Sequence, residues 1–133
     1  MKTFILFLLL FPALASAQTI ESANRSTIAY ISTDGTIEDS HRSTTAYIKN
    51  DGTVQDSHRS TIGYLESDGR VTDSHRSVLG YISKDGNVED SHRSRIRSIS
   101  NDGVIMNNSG SVLGYAKNIR KDWVAAYFFF FKF

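Results

Sequence analysis

Four histidines recur at a fixed spacing, and each follows an aspartate by two residues. Each pair lies in a copy of the segment Asp-Ser-His-Arg-Ser, and the copies repeat every 17 residues. Imidazole and carboxylate groups bind transition metals and act as acids and bases near neutral pH. Copies gathered at one edge of a fold would form a ring of such groups. Its members are His41, His58, His75 and His92, with Asp39, Asp56, Asp73 and Asp90.

The ring also has a simpler explanation, because an internal repeat multiplies a linker residue as readily as a ligand. Asn24 and Ser109 occupy the equivalent places in the outer units, so the ring is incomplete. Neighbouring units are expected to hold their histidines too far apart for bonds of about 2.1 Å to one ion. We therefore predict solvated turn residues, with no metal site, no catalytic residue and no cofactor. The alternative is a metal-dependent hydrolase that uses the ring.

An arginine follows each histidine, and a tyrosine recurs at the same step of 17 residues. The arginines would grip a carboxylate or a sugar acid, or, as we predict, pair with the aspartates of their own rim. The tyrosines would stack on sugars or, as we predict, pack in the core. The arginines that complete this speculative binding rim are Arg42, Arg59, Arg76 and Arg93.

Two runs rich in β-branched and aromatic residues flank an Asp-Gly pair in each unit. In the third copy, residues 60–65 precede Asp68 and Gly69, and residues 70–73 follow them. Asp-Gly between such runs predicts a β-hairpin, because glycine accepts the positive φ that tight hairpin turns require. Each unit is thus predicted to be strand, turn and strand, with Asp-Ser-His-Arg-Ser as the link to the next hairpin.

One hairpin cannot stand alone, since ordering each residue costs about 1.5 kcal/mol and burying each apolar side chain returns only about 1.5 to 3 kcal/mol. Neighbouring units must therefore share a core. Residues 19–25 align with 36–42 and form a second strand without a first, whereas residues 111–116 align with 77–82 and form a first strand without a second. The chain ends thus predict a sixth hairpin that closes the array into a ring with no free edge.

The two termini differ from the repeat. Residues 1–17 combine a charged start, a short apolar run and small residues at Ala15 and Ala17, which is typical of a secretory signal peptide. We expect a hairpin-repeat domain over residues 18–121 and an aromatic segment over 122–133 that packs on it. Periodicity does not separate helix from strand in that segment. It is predicted to be a plug or lid packed against the open end of the array, and docking to a membrane or a translocation partner is the alternative.

Without Lys2 the chain has 14 basic and 14 acidic residues, so the mature protein is almost neutral. Capture of nucleic acid by charge is therefore not favoured. We expect an exported protein, periplasmic, cell-surface or extracellular, with no transmembrane span in its mature part. An unknown protein or a glycan is the expected partner. The chain has no cysteine, so packing and hydrogen bonds must stabilise it without disulfides.

The repeat resembles that of a known family. Residues 62–74 and 79–91 share the pattern Ile/Leu-Gly-Tyr-Leu/Ile, Asp-Gly, Val, Asp-Ser, and residues 113–116 precede an aromatic end. These motifs resemble the β-flower family of small exported bacterial proteins. The resemblance implies an all-β, small propeller-like closed ring of 17-residue hairpins, but it implies no activity.

The fifth unit departs from the pattern, because Arg97 and Ser98 replace the small residue and the tyrosine, so we expect irregularity there. For function, we predict a non-enzymatic structural or binding module that uses repeated polar rim loops, while an enzymatic role stays open.

Overall fold

The computed structural model describes residues 18–133, and the predicted signal peptide lies outside the described residues. Within them the chain forms twelve short antiparallel strands, and each pairs with its neighbours in sequence. The strands are β1 (Gln18–Ser22), β2 (Thr27–Ile31), β3 (Thr36–Asp39), β4 (Thr44–Ile48), β5 (Thr53–Asp56), β6 (Thr61–Leu65), β7 (Arg70–Asp73), β8 (Val78–Ile82), β9 (Asn87–Asp90), β10 (Arg95–Ile99), β11 (Val104–Asn107) and β12 (Val112–Tyr115).

The first and last strands pair with each other and close the sheet into a barrel. Glu21 lies opposite Tyr115 and Ser22 opposite Gly114. The same register recurs inside a continuous hairpin, where Glu38 lies opposite Tyr30. The predicted closed ring of hairpins is therefore confirmed, including the hairpin that the two chain ends complete.

Two kinds of turn alternate around the barrel, and both have the same backbone geometry. The Gly35 N–H donates to the Ser32 carbonyl at 2.9 Å, and the Arg42 N–H donates to the Asp39 carbonyl at 3.0 Å. Gly35 and Arg42 both have positive φ, 91° and 70°, as in three-residue hairpin loops that end in a left-handed residue. The segment predicted as a link is therefore a hairpin turn too. We call the barrel end with the Asp-Gly turns the Asp-Gly rim, and the opposite end the His-Arg rim.

Inward-facing aliphatic side chains form the wall of the core. The second strands each contribute one fully buried residue, namely Ile20, Ile37, Val54, Val71, Val88 and Ile105. A β-bulge in each first strand adds a residue to the ladder, as Thr45 does between the pairs Glu38/Thr44 and Ile37/Ala46. Five of the six bulged residues are apolar and pack partly buried against the core: Ile28, Ile62, Leu79, Ile96 and Leu113. The bulge explains why the first strands do not alternate cleanly in sequence.

The C-terminal segment is helical and fills the barrel. Helix α1 (Lys121–Ala125) continues into a π-helical turn over Ala126–Phe130, where the Phe131 N–H donates to the Ala126 carbonyl at 3.0 Å. Residues 123–126 are buried in the same cluster as the strand residues. Eight strands already enclose a space that side chains just fill, so a twelve-stranded barrel needs further material at its centre.

Four consecutive phenylalanines reach four different strands from this central helix. A Cβ built on Gly114 would lie 2.8 Å from the Phe128 ring, and one on Gly80 would lie 2.5 Å from the Phe130 ring. The Phe131 ring lies against Gly63 in the same way, and the Phe129 ring faces Arg97. In these three repeats the glycine therefore leaves room for an aromatic ring.

Substituting Gly80 by alanine should destabilise the barrel by about 1 to 3 kcal/mol, because the new methyl group would lie against the Glu89 carbonyl oxygen and 2.5 Å from the Phe130 ring and so overpacks the core. Ala29 and Ala46 show that the backbone at this repeat position accepts a Cβ. Urea unfolding of Gly80→Ala alone and together with Phe130→Leu measures the effect. If the smaller ring partner restores none of the lost stability, the assigned contact is wrong.

Candidate functional site

The aspartates of the His-Arg rim stabilise their own turns. Asp39 Oδ1 accepts the backbone N–H groups of His41 at 2.9 Å and Ser43 at 3.0 Å. The three other copies repeat both hydrogen bonds, centred on Asp56, Asp73 and Asp90. These oxygens hold the backbone, which is the usual role of aspartate in such turns.

The histidines lie on four separate turns, and all four are exposed. In the part of the chain that the structure describes, no three His, Cys, Asp or Glu side chains come close enough to hold a metal ion. The turn therefore orders each histidine through its backbone and presents its imidazole to solvent.

The arginines of the same turns stack on tyrosines of the outer wall. Arg42 lies 3.9 Å above the Tyr30 ring and also binds Glu38 Oε1 at 3.0 Å. Such stacks run around the barrel at 3.7 to 3.9 Å: Arg25 on Tyr115, Arg42 on Tyr30, Arg59 on Tyr47, Arg76 on Tyr64 and Arg93 on Tyr81. The predicted pairing of arginine with aspartate was wrong, and so was the predicted packing of the tyrosines in the core. Arginine pairs with glutamate because aspartate is used by the turn, and the tyrosines are half-buried outside rather than packed in the core.

A left-handed backbone at arginine is unusual, since this conformation costs a residue with a Cβ about 1 to 2 kcal/mol. Five arginines adopt it, with φ between 68° and 72°. In the sixth turn this position is Gly110, and the facing tyrosine position is Ser98. The chain therefore places arginine at positive φ only where a tyrosine lies beneath it, and the stack offsets part of the strain.

Arg59 and Tyr47 allow a clean test, because Gln55 replaces the glutamate and Arg59 forms no ion pair within residues 18–133. In a Tyr47→Ser background, Arg59→Gly should stabilise the protein by about 1 kcal/mol through relief of strain. With Tyr47 present the gain should shrink by about 0.5 to 1 kcal/mol, the worth of an exposed cation–π contact. Chemical denaturation of the four variants measures this coupling, and a value of zero would contradict the stacking account.

The Asp-Gly rim carries a groove of about 850 Å³, which we call the Asp-Gly groove. Three neighbouring turns form one side, over residues 50–52, 66–69 and 83–84, and the entry to helix α1, residues 120–122, forms the other. Leu65 and Ile82 line it between these polar walls.

Polar contacts fix the helix entry that forms one side of the groove. The Lys121 ammonium donates to Asn101 Oδ1 at 2.6 Å, which ties the helix entry to the fifth unit. On the groove side, Arg120 pairs with Asp122 at 2.8 Å. The sequence did not predict this groove, because no pattern in the chain indicates which Asp-Gly turns the helix entry faces.

A known protein family shares the sequence pattern of this barrel. The family described as "5-fold beta-flower protein" matches residues 17–132. The chain belongs to this family. Among curated proteins and among solved structures, none matches the chain. Five hairpins of this β-flower are continuous around an Asp-Gly turn, and β12 with β1 completes the sixth.

In this β-flower, no helix of residues 18–133 is long and apolar enough to cross a bilayer. The irregular fifth unit keeps its strands, since β10 pairs with both β9 and β11. The fifth unit differs in the residue that faces the central helix, which is Arg97.

Acid should weaken the Asp-Gly turns. The Thr53 N–H donates to Asp51, and the Thr36 N–H to Asp34, and these bonds lower both pKa values from the ordinary 3.8. A lowered folded-state pKa contributes stability that is present above pH 3.8 and lost as the pH falls through the folded value. In urea unfolding between pH 6 and 2, the Asp34→Asn/Asp51→Asn variant should therefore lose less stability than wild type. Equal losses would contradict this role of the carboxylates.

Proposed function

We propose that the protein is an exported, non-enzymatic binding module whose ligand lies in the Asp-Gly groove. The observation that carries the proposal is the groove itself, because its volume of about 850 Å³ falls in the range of ligand sites in proteins. Repeated polar loops form its wall, as expected of a module that presents rim loops. Export rests on the signal-like pattern of residues 1–17.

The lining favours a polypeptide segment over a glycan. Charges of both signs surround the groove, among them Asp68, Lys84 and Arg120, which suits a chain that carries charged side chains and backbone amides. Within residues 18–133, no aromatic ring lines the groove. Tyr64 lies in the adjacent hollow, but the Arg76 guanidinium covers its ring at 3.8 Å. A sugar would therefore find no open ring on which to stack.

The hydrolase alternative is not favoured. Its histidines lie apart on exposed turns, and the aspartates beside them hold backbone N–H groups. General acid–base catalysis needs such groups to converge on one reacting atom. The described residues show no such convergence at the His-Arg rim.

The repeat offers a matched pair of variants that tests the groove. Ser67 and Thr33 occupy the same place in two Asp-Gly turns, but only Ser67 lines the groove. Peptides selected against the wild-type protein from a displayed random library should lose about tenfold or more in affinity for Ser67→Trp, which fills the groove. Their affinity for Thr33→Trp should stay unchanged.

Calorimetric titration of the selected peptides measures both affinities. If the peptides bind Ser67→Trp with the same affinity as wild type, the binding surface lies elsewhere. Binding to an oligosaccharide array that is lost in Ser67→Trp, with no peptide selected, would replace the polypeptide by a glycan.

A further inference from the structure

The barrel ends at the His-Arg rim in a layer of aromatic rings, which we call the aromatic floor. It consists of Tyr127, Phe128, Phe129, Phe130, Phe131 and Phe133, all partly exposed. The ring centroids of Phe131 and Phe133 are 6.2 Å apart, and those of Phe133 and Tyr127 are 5.9 Å apart. The apolar bulge residues and these rings pack against the same core cluster. Contiguous exposed apolar surface of this kind commonly marks a binding site.

Arg97 is the one charged side chain at the small position of the repeat. The other first strands place Ala29, Ala46, Gly63, Gly80 and Gly114 there. Arg97 reaches the aromatic floor, where its guanidinium carbon lies 5.2 Å from the centre of the Phe129 ring. That contact is looser than the outer stacks at 3.7 to 3.9 Å. An arginine that only stacked on a ring would be expected to come as close as they do.

Some N–H groups of the Arg97 guanidinium have no hydrogen-bond acceptor within residues 18–133. One Nη donates to the Ile96 carbonyl at 2.8 Å, whereas Nε is buried without a hydrogen-bond partner. Within residues 18–133, Arg97 forms no ion pair. A partly buried cation of this kind is costly unless an anion meets it.

No acidic side chain within residues 18–133 forms an ion pair with Arg97. One oxygen of each rim aspartate accepts backbone N–H groups, and Glu21, Glu38 and Glu89 bind Arg25, Arg42 and Arg93. An anionic ligand could therefore meet Arg97 without displacing an ion pair.

We propose that Arg97 and the aromatic floor bind an anionic amphiphile, a monocarboxylate with an apolar tail. The carboxylate accepts a charge-assisted hydrogen bond from the Nη of Arg97 that has no partner within residues 18–133. The tail lies on the half-exposed phenylalanine rings and removes them from water. This site is separate from the Asp-Gly groove, which lies at the other rim.

Dodecanoate below its micellar concentration is the probe, and calorimetric titration measures its affinity. Arg97→Gly should weaken binding at least about tenfold, because it removes the charged donors. The variant should fold, since glycine stands at this position in three other units. Arg97→Ala, which copies Ala29 and Ala46, provides a second loss-of-charge variant. Arg93→Gly is the matched control, because it removes an arginine from the outer wall of the same rim, and it should bind as wild type does.

Three results would overturn the proposal. They are unchanged binding in both Arg97 variants, equal binding of uncharged dodecanol, and no binding of dodecanoate to the wild-type protein. Co-sedimentation with phosphatidylglycerol vesicles separates the two sources of such an anion. Vesicle binding that depends on Arg97, without binding of free dodecanoate, would replace the single amphiphile by a bilayer surface.

Discussion

The width of the barrel is the constraint on which the rest of the structure depends. Twelve strands enclose more space than their own side chains can fill, and the inward residues here are only of isoleucine size or smaller apart from Arg97. The C-terminal helix supplies the missing volume with Trp123, Val124 and the phenylalanines. The aromatic tail is therefore the central part of the core, and Gly63, Gly80 and Gly114 are small because the tail occupies the space beside them.

The π-helical turn solves a problem of angular matching. An α-helix rotates by about 100° per residue, whereas six first strands divide the circle into smaller steps. A turn closed by a bond from Phe131 to Ala126 contains more residues and so rotates less at each one. Phe128 to Phe131 can then meet β12, β10, β8 and β6 in succession. On β10 the residue that faces the tail is Arg97, which contacts Phe129 where the other three strands present a glycine. A cation therefore lies among the aromatic rings.

The sequence allowed the repeat, the Asp-Gly turns and the closing hairpin to be predicted, because spacing and turn chemistry are local properties of the chain. Which side chains face the core could not be predicted, because each bulge shifts the in–out alternation of its strand by one residue. As a result, Ile62 packs against the core and Tyr64 lies outside. The tail offered an unbroken apolar run, in which periodicity does not distinguish helix from strand. Ser98 and Gly110 did hold a readable signal of the arginine stacks, because both depart from the repeat in the same unit.

The pairing of β1 with β12 bears on synthesis of the chain. Translation makes β1 before the other described strands, so Glu21 can pair with Tyr115 only after all ten strands between β1 and β12 have been made. The central helix follows later still, at residues 121–130. An incomplete polypeptide therefore exposes two open strand edges and an unfilled interior, features that invite aggregation. Productive assembly of this β-flower therefore requires β12 and the central helix, and a chain cut short before them resembles a misfolded one.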